Sequence, residues 1–201
     1  MEFYHSMITE KSFQFLQKLN KKYNFILIGG WAVYLWSRAL KSKDIDIIID
    51  YPELAKLKDN YEVFKNERLK KYEIKTGEFD VDIYLPHYSE IGVGVQEIQK
   101  ETAEREGFKI PNLEMLFMLK FYAWYERRGS AKGQKDELDI FSLAILPEFD
   151  WGKYKKLIEK LSFSKYNEFF KNLLKNTTSI KELDINEQKM AKIKKFILNN
   201  L

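Results

Sequence analysis

The chain has no cysteine among its 201 residues and only two histidines. The lack of cysteine excludes disulfide bonds and thiolate metal ligands, and it fits a reducing compartment such as the cytoplasm. His5 and His87 have no metal-ligating partners at a useful spacing, so we assign them surface or packing roles. The N-terminus carries charges throughout and no long apolar run, so we expect no signal peptide, no membrane span and a cytoplasmic protein.

The composition is that of a packed globular protein, with 45% hydrophobic and 15% aromatic residues. A chain of this length forms one domain or two small ones. The net charge of +4 is unevenly distributed, because residues 151–201 hold 12 lysines and only five acidic residues. This basic segment indicates a polyanionic partner such as RNA, although solvated faces of amphipathic helices would give the same count.

Two of the nine glycines are adjacent in the sequence, at Gly29 and Gly30. The apolar run "FILI" before the pair predicts a buried strand, and the residues from Trp31 onward predict a helix. Glycines at a strand-to-helix junction let the backbone approach a ligand and direct helix N–H groups toward it. The junction therefore indicates either a phosphate-binding turn or a structural turn.

Two predicted strands carry alternating aspartates. In "DIDIII" the alternation places Asp44 and Asp46 on one face, and in "EFDVDIYL" it places Asp80 and Asp82 on one face. If the strands are neighbours, three or four carboxylates converge, and hard oxygen ligands of this kind suit Mg²⁺. The alternative is a solvent-facing strand edge.

The order apolar-Gly-Gly, then Asp-apolar-Asp, then a third acidic strand resembles the DNA polymerase β nucleotidyltransferase superfamily. The resemblance implies that Gly29, Gly30 and the following helix hold a nucleoside triphosphate, with Trp31 able to stack on its base. It also implies that Asp44, Asp46 and a third carboxylate bind two magnesium ions. Asp82 fits that third position best, with Asp80 as the alternative. The Gly-Gly pair stands where many members have Gly-Ser.

The C-terminal half adds a second pattern. Lys120 lies among apolar residues of a predicted helix, and "KDELD" places Asp136 and Asp139 on one face of the next helix. This pattern looks like the abortive-infection and toxin-type nucleotidyltransferases of toxin–antitoxin systems. By that resemblance Lys120 contacts the triphosphate, and Asp136 or Asp139 orients the lysine or the acceptor. A buried ion pair that joins two helices is the alternative.

Together these patterns predict an α/β fold: a small mixed β-sheet nucleotidyltransferase core with flanking helices over residues 1–110, and a C-terminal helical subdomain over residues 111–201. The predicted function is Mg²⁺-dependent transfer of a nucleoside monophosphate from ATP or another nucleoside triphosphate to an acceptor hydroxyl. The acceptor could be tRNA or other RNA, a protein, or a small molecule such as an aminoglycoside, and a cognate antitoxin is an expected partner. A non-catalytic binding protein on the same scaffold is the alternative function.

Overall fold

The computed structural model describes the backbone of residues 2–201 and the side chains from residue 7 onward, so the side chain of His5 lies outside the described residues. The chain forms two compact units, the first ending at Asn112 and the second spanning Leu113–Leu201. None of the described helices combines the length and apolar character needed to cross a membrane.

The first unit is a mixed α/β structure. Its elements are α1 (Glu2–Asn20), β1 (Ile26–Ile28), α2 (Gly29–Ser37), β2 (Ile45–Ile48), α3 (Tyr51–Lys58), β3 (Phe64–Asn66), β4 (Lys71–Lys75), β5 (Asp80–Tyr84), α4 (Val95–Lys100), β6 (Thr102–Arg105) and β7 (Phe108–Pro111). Five strands form one sheet in the order β1-β2-β5-β4-β3, in which only β2 and β5 run parallel. Strands β6 and β7 form a separate antiparallel pair. The predicted α/β class with a small mixed sheet is confirmed.

Alternation along the two central strands separates the core from the site. Ile45, Ile47 and Val81 are fully buried, whereas Asp46 and Asp82 between them are partly exposed. Because successive side chains of a strand point to opposite faces, burying the isoleucine face brings the aspartates to the other face. The hydrophobic face of the sheet therefore fixes where the carboxylates point.

The charged segment over residues 53–71 is predicted from its sequence to be mainly helical, but only its first part is helical. Helix α3 ends at Lys58, and the chain then returns as strand β3, which pairs antiparallel with β4. The short strand "FKN" has the exposed and half-exposed burial of an edge strand, so it carries no apolar period to reveal it. The turn residues Thr76 and Gly77 between "YEIKT" and "EFDVDIYL" predict a hairpin, and the antiparallel pair β4–β5 confirms it.

The second unit is helical, as predicted. It consists of α5 (Leu113–Glu126), α6 (Ala131–Ala144), α7 (Trp151–Lys160), α8 (Asn167–Asn176) and α9 (Glu187–Asn200), with short 3₁₀ turns at Ser164–Tyr166 and Lys181–Leu183. Phe117 lies at the centre of its core, and its ring centroid is 5.2 Å from Phe149, 5.3 Å from Tyr154 and 5.2 Å from Phe170. Edge-to-face aromatic packing of this kind holds α5, α7 and α8 together.

Candidate functional site

Gly29 directly follows strand β1 and opens helix α2 with a positive φ of 67°. A β-carbon built on Gly29 would lie 2.6 Å from Cγ and 2.8 Å from Cβ of Asp46, far inside van der Waals contact. Position 29 therefore requires glycine for two reasons: its positive φ and the close approach of Asp46. Ile28 at the N-cap makes no side-chain cap, so the first turn of α2 relies on other partners for its N–H groups.

Asp46 lies directly opposite Asp82, because β2 and β5 pair in parallel with these two residues in register. On the other side of β5, Asp82 is in register with Glu73 of β4. Three carboxylates thus form a row across three neighbouring strands. Glu73 was not predicted as part of the site, although the alternation of "KYEIK" places Lys71, Glu73 and Lys75 on one face.

Lys71 provides a positive charge beside this row of carboxylates. Its Nζ lies 2.6 Å from Oδ2 of Asp82 and 3.0 Å from Oε1 of Glu73, and its side chain is only 12% exposed. Burial alone would lower the pKa of Lys71, but its bonds to Asp82 and Glu73 raise that pKa above its ordinary value. The ammonium group is therefore held in its charged form.

The pKa of the Asp82 carboxyl group lies well above its ordinary value. Burial and the negative charge of Asp46 raise the pKa of Asp82 to about 6, although the hydrogen bond from Lys71 acts in the opposite direction. Two facing carboxylates in a partly desolvated setting favour binding of a cation or a proton. Such a perturbed group beside a backbone cradle is typical of a functional site.

Asp44 precedes strand β2 and turns toward the start of β5. Its Oδ1 accepts a hydrogen bond of 3.2 Å from the backbone N–H of Asp80. Asp46 Oδ1 accepts a bond of 3.4 Å from the hydroxyl of Tyr84, which follows Asp82 on the same face of β5. Asp82, which faces Asp46, is thus better placed than Asp80 to act with the first pair.

The carboxylates are ligands of the type that Mg²⁺ prefers, but they do not form a complete metal site in this arrangement. Among the side chains that the structure describes, no group of three or more histidine, aspartate or glutamate residues is arranged to hold a metal ion. Asp82 is already bonded to Lys71. The predicted site with three metal ligands is therefore not shown.

The base-stacking role predicted for Trp31 is wrong. Its side chain is 1% exposed, its Nε1 donates a bond of 3.0 Å to Ser12 Oγ, and its ring lies 4.9 Å from Phe13 and 5.7 Å from Tyr34 between centroids. The indole is thus buried in the core of the first unit, where a base cannot stack on it. An aromatic residue after a glycine pair is equally consistent with core packing, so the sequence did not distinguish the two roles.

A buried ion cluster lies between α5 and α6 in the second unit. Lys120 Nζ lies 2.7 Å from Oδ2 of Asp139 and 3.4 Å from Oδ1 of Asp136, and both aspartates are 1% exposed. Arg127 binds Asp136 with two of its nitrogens. The predicted placement of Asp136 and Asp139 beside Lys120 is thus observed, whereas the pairing with Arg127 was not predicted. The structure shows the helix-joining ion pair directly, and a contact of Lys120 with phosphate stays a prediction.

No protein-family model and no curated protein matches the chain. Solved structures do match: ANT(2″)-Ia in complex with adenylyl-2″-tobramycin aligns with a TM-score of 0.56 and 16% identity, over 80% of this chain and 99% of that one. JHP933 from Helicobacter pylori aligns with a TM-score of 0.50 and 18% identity, over 95% and 94% of the two chains. A candidate nucleotidyltransferase from H. pylori aligns with a TM-score of 0.52 and 17% identity, over 97% of both.

The chain has a nucleotidyltransferase fold. The fold implied by the resemblance of the glycine pair and the aspartate strands is thereby confirmed. At 16–18% identity the alignments show the fold alone. The toxin-type branch, the acceptor and the metal remain predictions for this nucleotidyltransferase-fold protein.

Proposed function

We propose that the protein is a nucleotidyltransferase that moves a nucleoside monophosphate from a nucleoside triphosphate to an acceptor hydroxyl. The observation that carries this proposal is the contact of Gly29 with Asp46, which itself faces Asp82. The glycine turn, which would cradle phosphate in this proposal, therefore lies against two carboxylates on adjacent strands. The acceptor oxygen would form a bond to the α-phosphorus while the bond to pyrophosphate breaks.

In this proposal each residue of the first unit has a defined task. Gly29 and Gly30 let the triphosphate approach the first turn of α2, whose N–H groups and dipole favour anions. Asp44 and Asp46 would hold Mg²⁺, which supplies neutralisation of the phosphate charge when it is bound. Asp82 lies beside Asp46 to complete the negative side of the site. Positioning and charge neutralisation are the main requirements of this chemistry.

RNA is our first choice of acceptor, with a tRNA 3′ end as the specific candidate. The support is the excess of positive charge in residues 151–201, which contain 12 lysines and only five acidic residues. A small-molecule hydroxyl is the second candidate, because the matched ANT(2″)-Ia structure contains adenylyl-2″-tobramycin. A toxin role with a cognate antitoxin follows from the sequence resemblance alone.

The test uses the full chain with Mg²⁺ and each of four α-³²P-labelled nucleotides. Total RNA, tobramycin and no added acceptor are compared in parallel reactions. Asp46→Asn is the site variant, and Asp59→Asn is the matched control, since Asp59 is an exposed aspartate at the end of α3. We expect label on RNA with the unmodified chain and Asp59→Asn, and none with Asp46→Asn.

Label that persists unchanged in Asp46→Asn would overturn the site assignment. Label on tobramycin or on the protein itself would retain nucleotidyl transfer and change the acceptor. No label in any reaction, together with no nucleotide binding by titration, would favour the alternative of a non-catalytic binding protein.

A further inference from the structure

The row of carboxylates contains its own cation. Glu73, Asp82 and Asp46 stand in register on β4, β5 and β2, where like charges on neighbouring strands repel one another. Lys71 is bonded to two of the three, at 2.6 Å from Asp82 and 3.0 Å from Glu73. The repulsion across β4 and β5 is therefore compensated within the chain.

Several contacts keep Lys71 in this position. Lys71 and Glu73 lie two residues apart on the same face of β4, while Asp82 approaches from β5. Asn66 on β3 donates a bond of 3.1 Å to the same Glu73 oxygen, Oε1, that Lys71 contacts. With 12% of its side chain exposed, Lys71 is poorly solvated if it leaves these partners.

Lys75 provides an internal comparison on the same strand. Its Nζ lies 3.7 Å from Oε2 of Glu73, and its side chain is 56% exposed. An exposed pair of this kind is screened by solvent and contributes little. The short, largely buried contact with Asp82 thus distinguishes Lys71 from Lys75.

We propose that Lys71 provides at Asp82 the positive charge that a second divalent ion would otherwise provide, so that the protein binds a single divalent ion through Asp44 and Asp46. A divalent ion that approached Asp82 would meet an ammonium group already bonded to Oδ2 of that carboxylate, and the two cations repel. This inference rests on the proposed function, because only a metal-dependent site makes the number of ions meaningful. It departs from the two ions that the sequence resemblance implies.

The test counts Mn²⁺ ions bound to the full chain without nucleotide, by isothermal titration calorimetry and by the electron paramagnetic resonance signal of free Mn²⁺. We expect one ion for the unmodified chain. Lys71→Met removes the charge while keeping the length of the side chain, and we expect it to bind two. Lys71→Arg and Lys75→Met are the controls, and each is expected to bind one.

Asp82→Asn separates the inference from a two-ion site in which Asp82 is a ligand. We expect this variant still to bind one Mn²⁺, since Asp82 is occupied by Lys71. Circular dichroism melting of every variant identifies any loss of folding, and Lys71→Arg together with Asp82→Asn tests the inference even if Lys71→Met does not fold.

Two ions on the unmodified chain, or one ion on a folded Lys71→Met variant, would overturn the inference and leave the proposed nucleotidyl transfer intact. Absence of Mn²⁺ binding in every variant would also overturn it. In that case the labelling reaction described above decides the proposed function independently, because it measures transfer and not ion number.

Discussion

Gly29 and Asp46 are in such close contact that no other residue type fits at position 29. A β-carbon there would lie 2.6 Å from Cγ of Asp46, and the φ of 67° lies in the left-handed region. The glycine that opens helix α2 and the carboxylate of strand β2 therefore form one unit of structure. Any ligand bound at the first turn of α2 is consequently held beside this carboxylate.

Gly29→Ala is expected to weaken both stability and nucleotide binding, because the added methyl group displaces Asp46. Gly77→Ala is the matched control: Gly77 has a φ of 85°, but a β-carbon there meets nothing within 4 Å. The control should lose only about 1–2 kcal/mol of unfolding free energy, the usual cost of a left-handed alanine. Urea unfolding and nucleotide titration of both variants measure the difference, and equal losses in the two would contradict the contact with Asp46.

The raised pKa of Asp82 makes stability depend on pH. Its folded-state value of about 6 exceeds the value near 4 of an unfolded aspartate, so its protonation favours folding. This contribution is fully present below about pH 4 and is lost as pH rises through about 6. Asp82→Asn removes this contribution. As the pH rises from 4 to 7, we therefore expect the unfolding free energy of the unmodified chain to fall relative to that of the variant, by at most about 3 kcal/mol.

Urea unfolding across this pH range checks the sign, and a carboxyl ¹³C titration checks the origin. Asp46→Asn should lower the pKa of Asp82, since the charge of Asp46 is its second largest cause of elevation after burial. Parallel stability curves for Asp82→Asn and the unmodified chain would show that folding does not raise the pKa of Asp82.

The buried cluster of the second unit should be sensitive to loss of a single partner. Lys120→Met leaves Asp139 and Asp136, each 1% exposed, without the lysine charge. Breaking one side of a buried ion pair typically costs about 3–5 kcal/mol, and we expect a loss of unfolding free energy in that range. Lys132→Met is the control, because Lys132 is exposed on the same helix as the aspartates, α6.

Thermal and urea unfolding measure the loss of unfolding free energy. Nucleotide titration tests separately whether Lys120 also contacts the triphosphate. A destabilised Lys120→Met variant that binds nucleotide normally would limit the lysine to joining α5 and α6. A rise in the KM for nucleotide in the folded variant would support the predicted contact with the triphosphate. An unfolding free energy equal to that of Lys132→Met would contradict the structural role.

Structural features that arise from a clear hydrophobic period were predicted correctly from the sequence. The isoleucine–aspartate alternation determined which residues of β2 and β5 are buried, and the apolar spacing from Leu113 onward indicated a helical second unit. These features depend on local rules, since a period of two or of 3.6 residues is visible without knowledge of any partner. The glycine pair and the aspartates are thus identifiable from the sequence without their spatial neighbours.

The sequence by itself determined that two acidic strands and a glycine turn exist; the tertiary structure decided which of their residues meet. Register placed Asp82 opposite Asp46 and brought Glu73 and Lys71 into the same row. Packing buried Trp31 and joined Arg127 to Asp136. These contacts link residues whose pairing follows from strand order and helix packing, which no local period encodes.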